Sequence, residues 1–120
     1  MKKRFLSLIA AILLLAIIPF TAYAVTSRTV AIIPRISFSG STATCSVDIT
    51  GYSLNDELDV VVKLWKGNTC LDTWYANSTG FLFFKDYYNP VQKGITYNLT
   101  VELTVNGATE SSVSTSKKYE

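Results

Sequence analysis

Histidine, the most versatile catalytic side chain, is missing from this 120-residue chain. Without histidine the chain has neither a Ser-His nor a Cys-His nucleophilic mechanism. Paired carboxylates can cleave glycosides, but most acidic residues here fall in loops or at outward strand positions, where water solvates them. We therefore predict no catalytic residues and a protein that is not an enzyme.

Metal ligands are equally scarce. Zinc needs four ligands, and beside the absent histidine the chain offers two cysteines, Cys45 and Cys70. Residues 55–57 and Asp59 bring together the hard oxygen ligands that calcium prefers, although their spacing matches no defined calcium loop. We predict no metal site and no other cofactor.

Aromatic side chains are the most suggestive feature of the sequence. The candidate binding residues, which share one short stretch with Phe81 and Phe83, are Trp65, Trp74, Tyr75, Tyr87 and Tyr88. Exposed flat rings are a common means of binding sugars or proteins. In the alternative interpretation, the rings cover the ends of the domain or complete its core.

Alternating apolar and polar residues, broken by Gly, Asn, Ser and Pro, predict the elements that carry these rings. The predicted strands are 29–38, 42–50, 58–65, 69–75, 81–85, 96–105 and 108–117, with a turn at 77–80 and an irregular aromatic loop at 86–94. Asn106-Gly107 is a strong hairpin signal. The last strand is mostly polar, as an edge strand often is. The predicted fold is all-β, a seven-stranded antiparallel sandwich.

A tight turn at Gly67-Asn68 would set the register of the third and fourth strands. Trp65 then lies opposite Cys70, and Val61 lies opposite Trp74. Both tryptophans would face away from the apolar row of the third strand, so at least one ring would be partly exposed.

One segment resembles a known family. In Val91–Val101, an apolar residue is followed by Gly94 three places later and by Tyr97 three further on, before strict alternation begins. This resembles the fibronectin type III signature at the turn into the sixth strand. The resemblance implies an immunoglobulin-like or fibronectin type III-like sandwich in which Tyr97 forms a tyrosine corner. Tyr119, in the polar tail, is expected to add little stability.

The N-terminal residues predict export. Three basic residues at positions 2–4 precede the apolar stretch 5–18, and Ala22 and Ala24 form a small-x-small cleavage site. We predict a signal helix over residues 1–24 and a single secreted domain over 25–120, with membrane contact only before cleavage. The alternative is an uncleaved N-terminal anchor. The whole chain resembles small exported single-domain proteins of Gram-positive bacteria.

Cleavage also changes the charge balance, because the exported part keeps eight basic and nine acidic residues. This near-neutral charge offers no basic patch for nucleic acid, so we predict no nucleic-acid partner. Both cysteines lie in the exported part, where an oxidising environment favours a disulfide between Cys45 and Cys70. Two free buried thiols are the alternative.

These observations predict a secreted, non-enzymatic sandwich that binds an unidentified protein or glycan at or outside the cell envelope. A second hypothesis is a structural surface protein that assembles with its own copies through edge strands. A third is a small secreted toxin or antimicrobial, which the near-neutral charge and the lack of a cationic amphipathic helix disfavour.

Overall fold

The computed structural model describes residues 30–120 as two antiparallel β-sheets that form a sandwich. The strands are β1 (Ala31–Ser39), β2 (Thr42–Thr50), β3 (Glu57–Lys66), β4 (Thr69–Thr79), β5 (Phe81–Tyr88), β6 (Thr96–Val105), β7 (Ala108–Thr109) and β8 (Val113–Lys118). The all-β prediction is confirmed. The predicted signal helix and its cleavage site at Ala22 and Ala24 lie outside the described residues.

The small sheet has the strand order β1-β2-β5, and the large sheet has the order β4-β3-β6 with β7 and β8 both paired to β6. The chain crosses from the large sheet to the small one between β4 and β5, which are edge strands of their sheets. Within residues 30–120, no helix is long and apolar enough to cross a membrane.

The core lies between the sheets and comes mainly from alternate residues of β2, β3 and β6. The predicted apolar row of β3 is confirmed, since its four members are at most 2% exposed: Leu58, Val60, Val62 and Leu64. Full burial of one such side chain stabilises a fold by roughly 1.5–3 kcal/mol. Period-two alternation therefore identifies the inner face of these strands correctly.

The predicted seventh strand is in fact two strands, β7 and β8. The hairpin at Asn106-Gly107 forms as predicted, with φ values of 52° and 85° that suit its two-residue turn. The strand then breaks near Glu110, whose N–H donates to the Leu103 carbonyl at 2.8 Å and whose carboxylate accepts from the Tyr52 hydroxyl at 3.0 Å. The described fold therefore has eight strands.

The predicted register of β4 is correct at Cys70 and wrong beyond it. Trp65 pairs with Cys70, but Leu64 pairs with Asp72, so Leu71 is the extra residue of a β-bulge. Every later residue of β4 moves by one position. The strand also continues to Thr79 instead of turning at 77–80, because its pairing with β3 persists to that point.

Gly80 joins β4 to β5 and is fixed on both sides. Its N–H donates to the Asp56 carbonyl at 2.8 Å, and its carbonyl accepts from the Gly51 N–H at 2.9 Å. Its φ is +81°, and a Cβ placed there would meet the Leu54 carbonyl oxygen at 2.8 Å. Glycine is therefore required for the chain to change sheets here.

Asp56 fastens the loop beneath this junction. Its carboxylate accepts hydrogen bonds from the Ser53 N–H at 2.9 Å and from the Asn106 side-chain amide at 3.0 Å. These hydrogen bonds lower the pKa of Asp56 because they favour its ionised form. The Asn106 side chain also accepts from the Glu57 N–H at 2.8 Å, so one hairpin residue ties the loop to β3.

Candidate binding surfaces

The five predicted binding aromatics do not form one site. Trp65 and Tyr75 lie on the outer face of the large sheet, and Tyr87 lies on the outer face of the small sheet. Trp74 and Tyr88 are partly buried and pack against the core. The cluster in the sequence is therefore divided among three places in the fold.

The prediction that both tryptophans face outward is wrong for Trp74. The bulge at Leu71 places Trp74 opposite Val62 instead of Val61, on the inner side of the sheet. There its ring lies 5.5 Å from the ring of Phe84. The signal was present in the sequence, because Leu71 and Trp74 are three residues apart and only a bulge lets both face the core.

The outer face of the small sheet carries a row of exposed rings from β5. Phe81, Phe83 and Tyr87 are 64%, 60% and 55% exposed. Ile33 of β1 lies in the same cross-strand row as Phe83, with Asp48 of β2 between them. We call this surface, defined by Ile33, Phe81, Phe83 and Tyr87, the aromatic face.

Phe81 and Phe83 were not among the predicted site residues, although the sequence held a signal for them. Leu82 and Phe84 alternate with them and are 5% and 8% exposed. Strict alternation in an edge strand thus marks Phe81 and Phe83 as outward residues. The strand also extends to Tyr88, so the predicted loop at 86–94 begins three residues too early.

Charged groups lie within the aromatic face, between its hydrophobic side chains. Arg35 of β1 forms an ion pair with Asp48 of β2. Lys85 of β5 lies in line with the exposed rings, and its ammonium is 6.0 Å from the centre of the Tyr87 ring. Phe81 and Phe83 therefore form one exposed aromatic pair, which Asp48 separates from Ile33 and Lys85 separates from Tyr87.

The outer face of the large sheet has a different chemistry. The Trp65 indole N–H donates to the Thr100 hydroxyl at 3.0 Å, and Tyr75 on β4 is 77% exposed. Lys63 and Glu102 lie between and beside these rings on β3 and β6. We call this surface, defined by Trp65, Tyr75, Lys63, Thr100 and Glu102, the polar face.

The predicted disulfide between Cys45 and Cys70 is wrong, because both thiols are free. Cys45 is fully buried on the inner side of β2, whereas Cys70 is exposed beside Trp65 on the outer side of β4. Burial raises the pKa of the Cys45 thiol to about 12, and the carboxylates of Asp86 and Asp72 add to the rise. The Cys45 thiol therefore lies in the core between the two sheets, and the Cys70 thiol lies on the outer face of the large sheet.

Tyr97 lies at the end of the sandwich far from Gly80. Its ring is 2% exposed, and its hydroxyl accepts from the Gln92 N–H at 3.0 Å. Tyr119 is less peripheral than we expected from its polar surroundings. Its ring stacks on Phe38 at 4.6 Å, and its hydroxyl donates to the Gly40 carbonyl at 2.7 Å.

The acidic side chains remain dispersed. In the part of the chain that the structure describes, no three Asp, Glu or Cys side chains come together as a metal site would require. Asp56 of the acidic loop is already occupied by Ser53 and Asn106. The two outer faces, which carry the exposed rings, are therefore the candidate binding surfaces.

No protein-family model matches the chain, and no curated protein matches it in sequence. Solved structures show similarity of fold. A protein of Bacteroides fragilis assigned as a beta-galactosidase aligns with a TM-score of 0.54 and 9% identity, over 71% of this chain and 15% of that one. The beta-glucuronidase of Bacteroides uniformis aligns with a TM-score of 0.52 and 14% identity, over 75% and 13%.

This chain thus spans 13–15% of the length of those two proteins. The sensor domain of the anti-sigma factor RsgI4 of Pseudobacteroides cellulosolvens aligns over 77% of this chain and 92% of that domain. That alignment has 13% identity and a TM-score of 0.45. At these identities the similarities show the fold alone, which is a two-sheet β-sandwich.

Proposed function

We propose that this chain is a secreted, non-enzymatic β-sandwich that binds a protein partner through its aromatic face, at or outside the cell envelope. One observation carries the proposal. Four of the six large hydrophobic side chains exposed in residues 30–120 lie on that face: Ile33, Phe81, Phe83 and Tyr87. Phe81 and Phe83 are neighbours in the outward row of β5, and exposed aromatic anchors of this kind are typical of interaction sites.

The composition of the aromatic face supports a protein partner. Interfaces combine aromatic anchors with arginine and a polar rim. Phe81 and Phe83 supply neighbouring anchors, while Arg35, Asp48 and Lys85 supply charges that orient a partner. Because all of them lie on regular strands, little backbone ordering is needed on binding.

Secretion and the lack of catalysis rest on the sequence. The basic residues at positions 2–4, the apolar stretch 5–18 and the Ala22-Tyr23-Ala24 site support export. The absence of histidine supports a binding role over an enzymatic one.

Within the β-sandwich class, we propose a fibronectin type III-like fold for this chain. Two observations support it: the buried Tyr97 hydroxyl bonds a backbone amide five residues upstream, as in a tyrosine corner, and the large sheet faces a three-stranded sheet of β1, β2 and β5.

A second candidate function is glycan binding at the polar face. The Trp65 ring is fixed by its hydrogen bond to Thr100, and Tyr75 is exposed on the same face among groups that can hydrogen-bond sugar hydroxyls. Two proteins with a similar fold are described as a beta-galactosidase and a beta-glucuronidase. The experiment that tests the proposal therefore includes glycans.

The test compares variants of the two faces. Immobilised mature protein, Phe81→Ser/Phe83→Ser and Tyr75→Ser are each exposed to proteins of the source organism's medium and envelope, and to a glycan array. We expect one specific protein to bind wild type and Tyr75→Ser but not the double variant. Equal retention by all three, or glycan binding that Tyr75→Ser abolishes, would contradict the proposal.

A further inference from the structure

Strand β5 has one open edge. It pairs with β2 on one side, and it is the last strand of the small sheet. The other edges of the described sheets are interrupted or shortened: β1 contains Pro34, the bulge at Leu71 leaves β4 regular only from Asp72, and the strands beside β6 are split into β7 and β8. Such interruptions disfavour edge-to-edge pairing, and β5 has neither a proline nor a bulge nor a break.

One hydrogen bond marks the far end of this open edge, where the Tyr87 N–H donates to the Asp86 carboxylate at 2.8 Å. At the near end the strand stops at Gly80, which bonds Asp56 and Gly51 instead. Backbone groups of alternate strand residues point to the same side. Phe81, Phe83 and Lys85 therefore direct their backbone groups to the same open edge as Tyr87, and Phe83 is the middle of the three.

We propose that a second copy of this chain pairs with β5 in antiparallel orientation, about a two-fold axis at Phe83. The two small sheets then become one six-stranded sheet. A two-fold arrangement of this kind is closed and self-complementary, because each contact occurs twice. The aromatic faces of the two copies become continuous across the new seam.

The register places compatible side chains opposite each other. On the outer face, Phe83 meets Phe83 of the second copy, and Phe81 meets Lys85 of the second copy. Aromatic pairs and ammonium–ring contacts are both favourable across strands. On the inner face, Leu82 meets Phe84 of the second copy, so two apolar side chains are paired.

Other registers fit less well. A two-fold axis at Phe84 would set Leu82 against Asp86 and would need the Tyr87 N–H, which Asp86 already occupies. An axis at Lys85 would bring two ammonium groups directly opposite each other, which is destabilising. The pairing about Phe83 avoids both problems.

Opposite charges at one position test the proposal. Phe81 is 64% exposed, so Phe81→Glu and Phe81→Lys are both expected to fold, as circular dichroism and thermal midpoints will verify. In the proposed register, residue 81 faces Lys85 of the second copy. By sedimentation equilibrium of the mature protein, we expect Phe81→Lys to dimerise roughly tenfold or more weakly than Phe81→Glu.

Wild type that stays monomeric at about 1 mM would overturn the proposal, because no useful affinity would remain. Equal dimerisation of the two charge variants would also overturn it, since the register would then be wrong. The outcome is separable from the proposed function: a monomer that binds its protein partner refutes the dimer alone, and a dimer without a partner refutes the binding role alone.

Cross-linking provides an independent readout. Antiparallel partners that exchange hydrogen bonds have Cα atoms about 5.5 Å apart, within the reach of a disulfide. Phe83→Cys in a Cys70→Ser background should therefore form a disulfide-linked dimer on mild oxidation. Tyr75→Cys in the same background is the control, and equal cross-linking of both would contradict the pairing.

Discussion

Strands β4 and β5 follow each other across one glycine, yet they present their aromatic residues in opposite ways. In β4 a bulge turns Trp74 toward the core and leaves Tyr75 as the outward ring. In β5 the alternation is unbroken, so Phe81 and Phe83 both face outward. An aromatic residue in an edge strand is thus buried in the core or exposed to solvent according to the local register.

The first prediction tests whether Trp74 and Tyr75 of β4 differ in burial as the bulge requires. Trp74→Ala removes a ring that packs against Phe84 and the core, and we expect a loss of about 2–3 kcal/mol in the free energy of unfolding, because the ring is only partly buried. Tyr75→Ala is the matched control, with an expected change within about 0.5 kcal/mol. Urea denaturation measures both, and two equally small losses would mean that the bulge is misplaced.

The second prediction concerns the loop that follows β5. Tyr97→Phe removes the hydroxyl that accepts from the Gln92 N–H, and a buried unpaired donor costs about 1–3 kcal/mol. Tyr119→Phe loses an exposed hydrogen bond to Gly40, for which about 0.5–1 kcal/mol is expected. If thermal denaturation shows no effect at Tyr97, the loop after β5 is not anchored there.

The third prediction concerns the junction between β4 and β5. Hydrogen bonds from Ser53 and Asn106 lower the pKa of Asp56 in the folded state, so its contribution is fully present above the unfolded value near 4 and is lost as the pH falls through the lower, folded pKa. Denaturation as a function of pH should show this acid-side loss in wild type. Asp56→Asn should reduce it, whereas Asp59→Asn, an exposed control on β3, should not.

The fourth prediction, with the smallest effect on stability, concerns the start of β4. Cys70 precedes the bulge and faces solvent, while Cys45 is buried and its pKa is raised to about 12. Native protein should therefore react with one equivalent of a thiol reagent, and unfolded protein with two. If the protein took up no thiol reagent until it was reduced, Cys45 and Cys70 would be joined in a disulfide, which would contradict the structure.

The regular strands were predictable from the sequence. The bounds of β2 and β6 were predicted to the residue, because unbroken alternation and clear turn residues delimit them. The predicted β3 differs by one residue at each end. Where one face of a strand is fully apolar, burial alone selects the register.

The irregular parts of the fold could not be predicted from the sequence and became visible only in the three-dimensional structure. Asp86 lies on the inner side of β5, where alternation predicts an apolar residue. Residues 86–88 were therefore predicted as part of a loop, although their pairing with β2 continues. Leu71 in the bulge and Glu110 at the break of the last strand act through long-range contacts that a local pattern does not contain. Of the predicted binding aromatics, Trp74 and Tyr88 pack against the core, whereas Phe81 and Phe83, which were not included, are exposed.

The most direct test of the account is hydroxyl-radical footprinting of the mature wild-type protein. The footprint is measured on the free protein and on its complex with the partner protein that it captures. In the free protein, Phe81, Phe83 and Tyr75 should react, and Trp74 should be largely protected. On complex formation the account predicts that Phe81 and Phe83 become protected while Tyr75 remains reactive. Protection of Tyr75 and Trp65 with no change at Phe81 and Phe83 would contradict it.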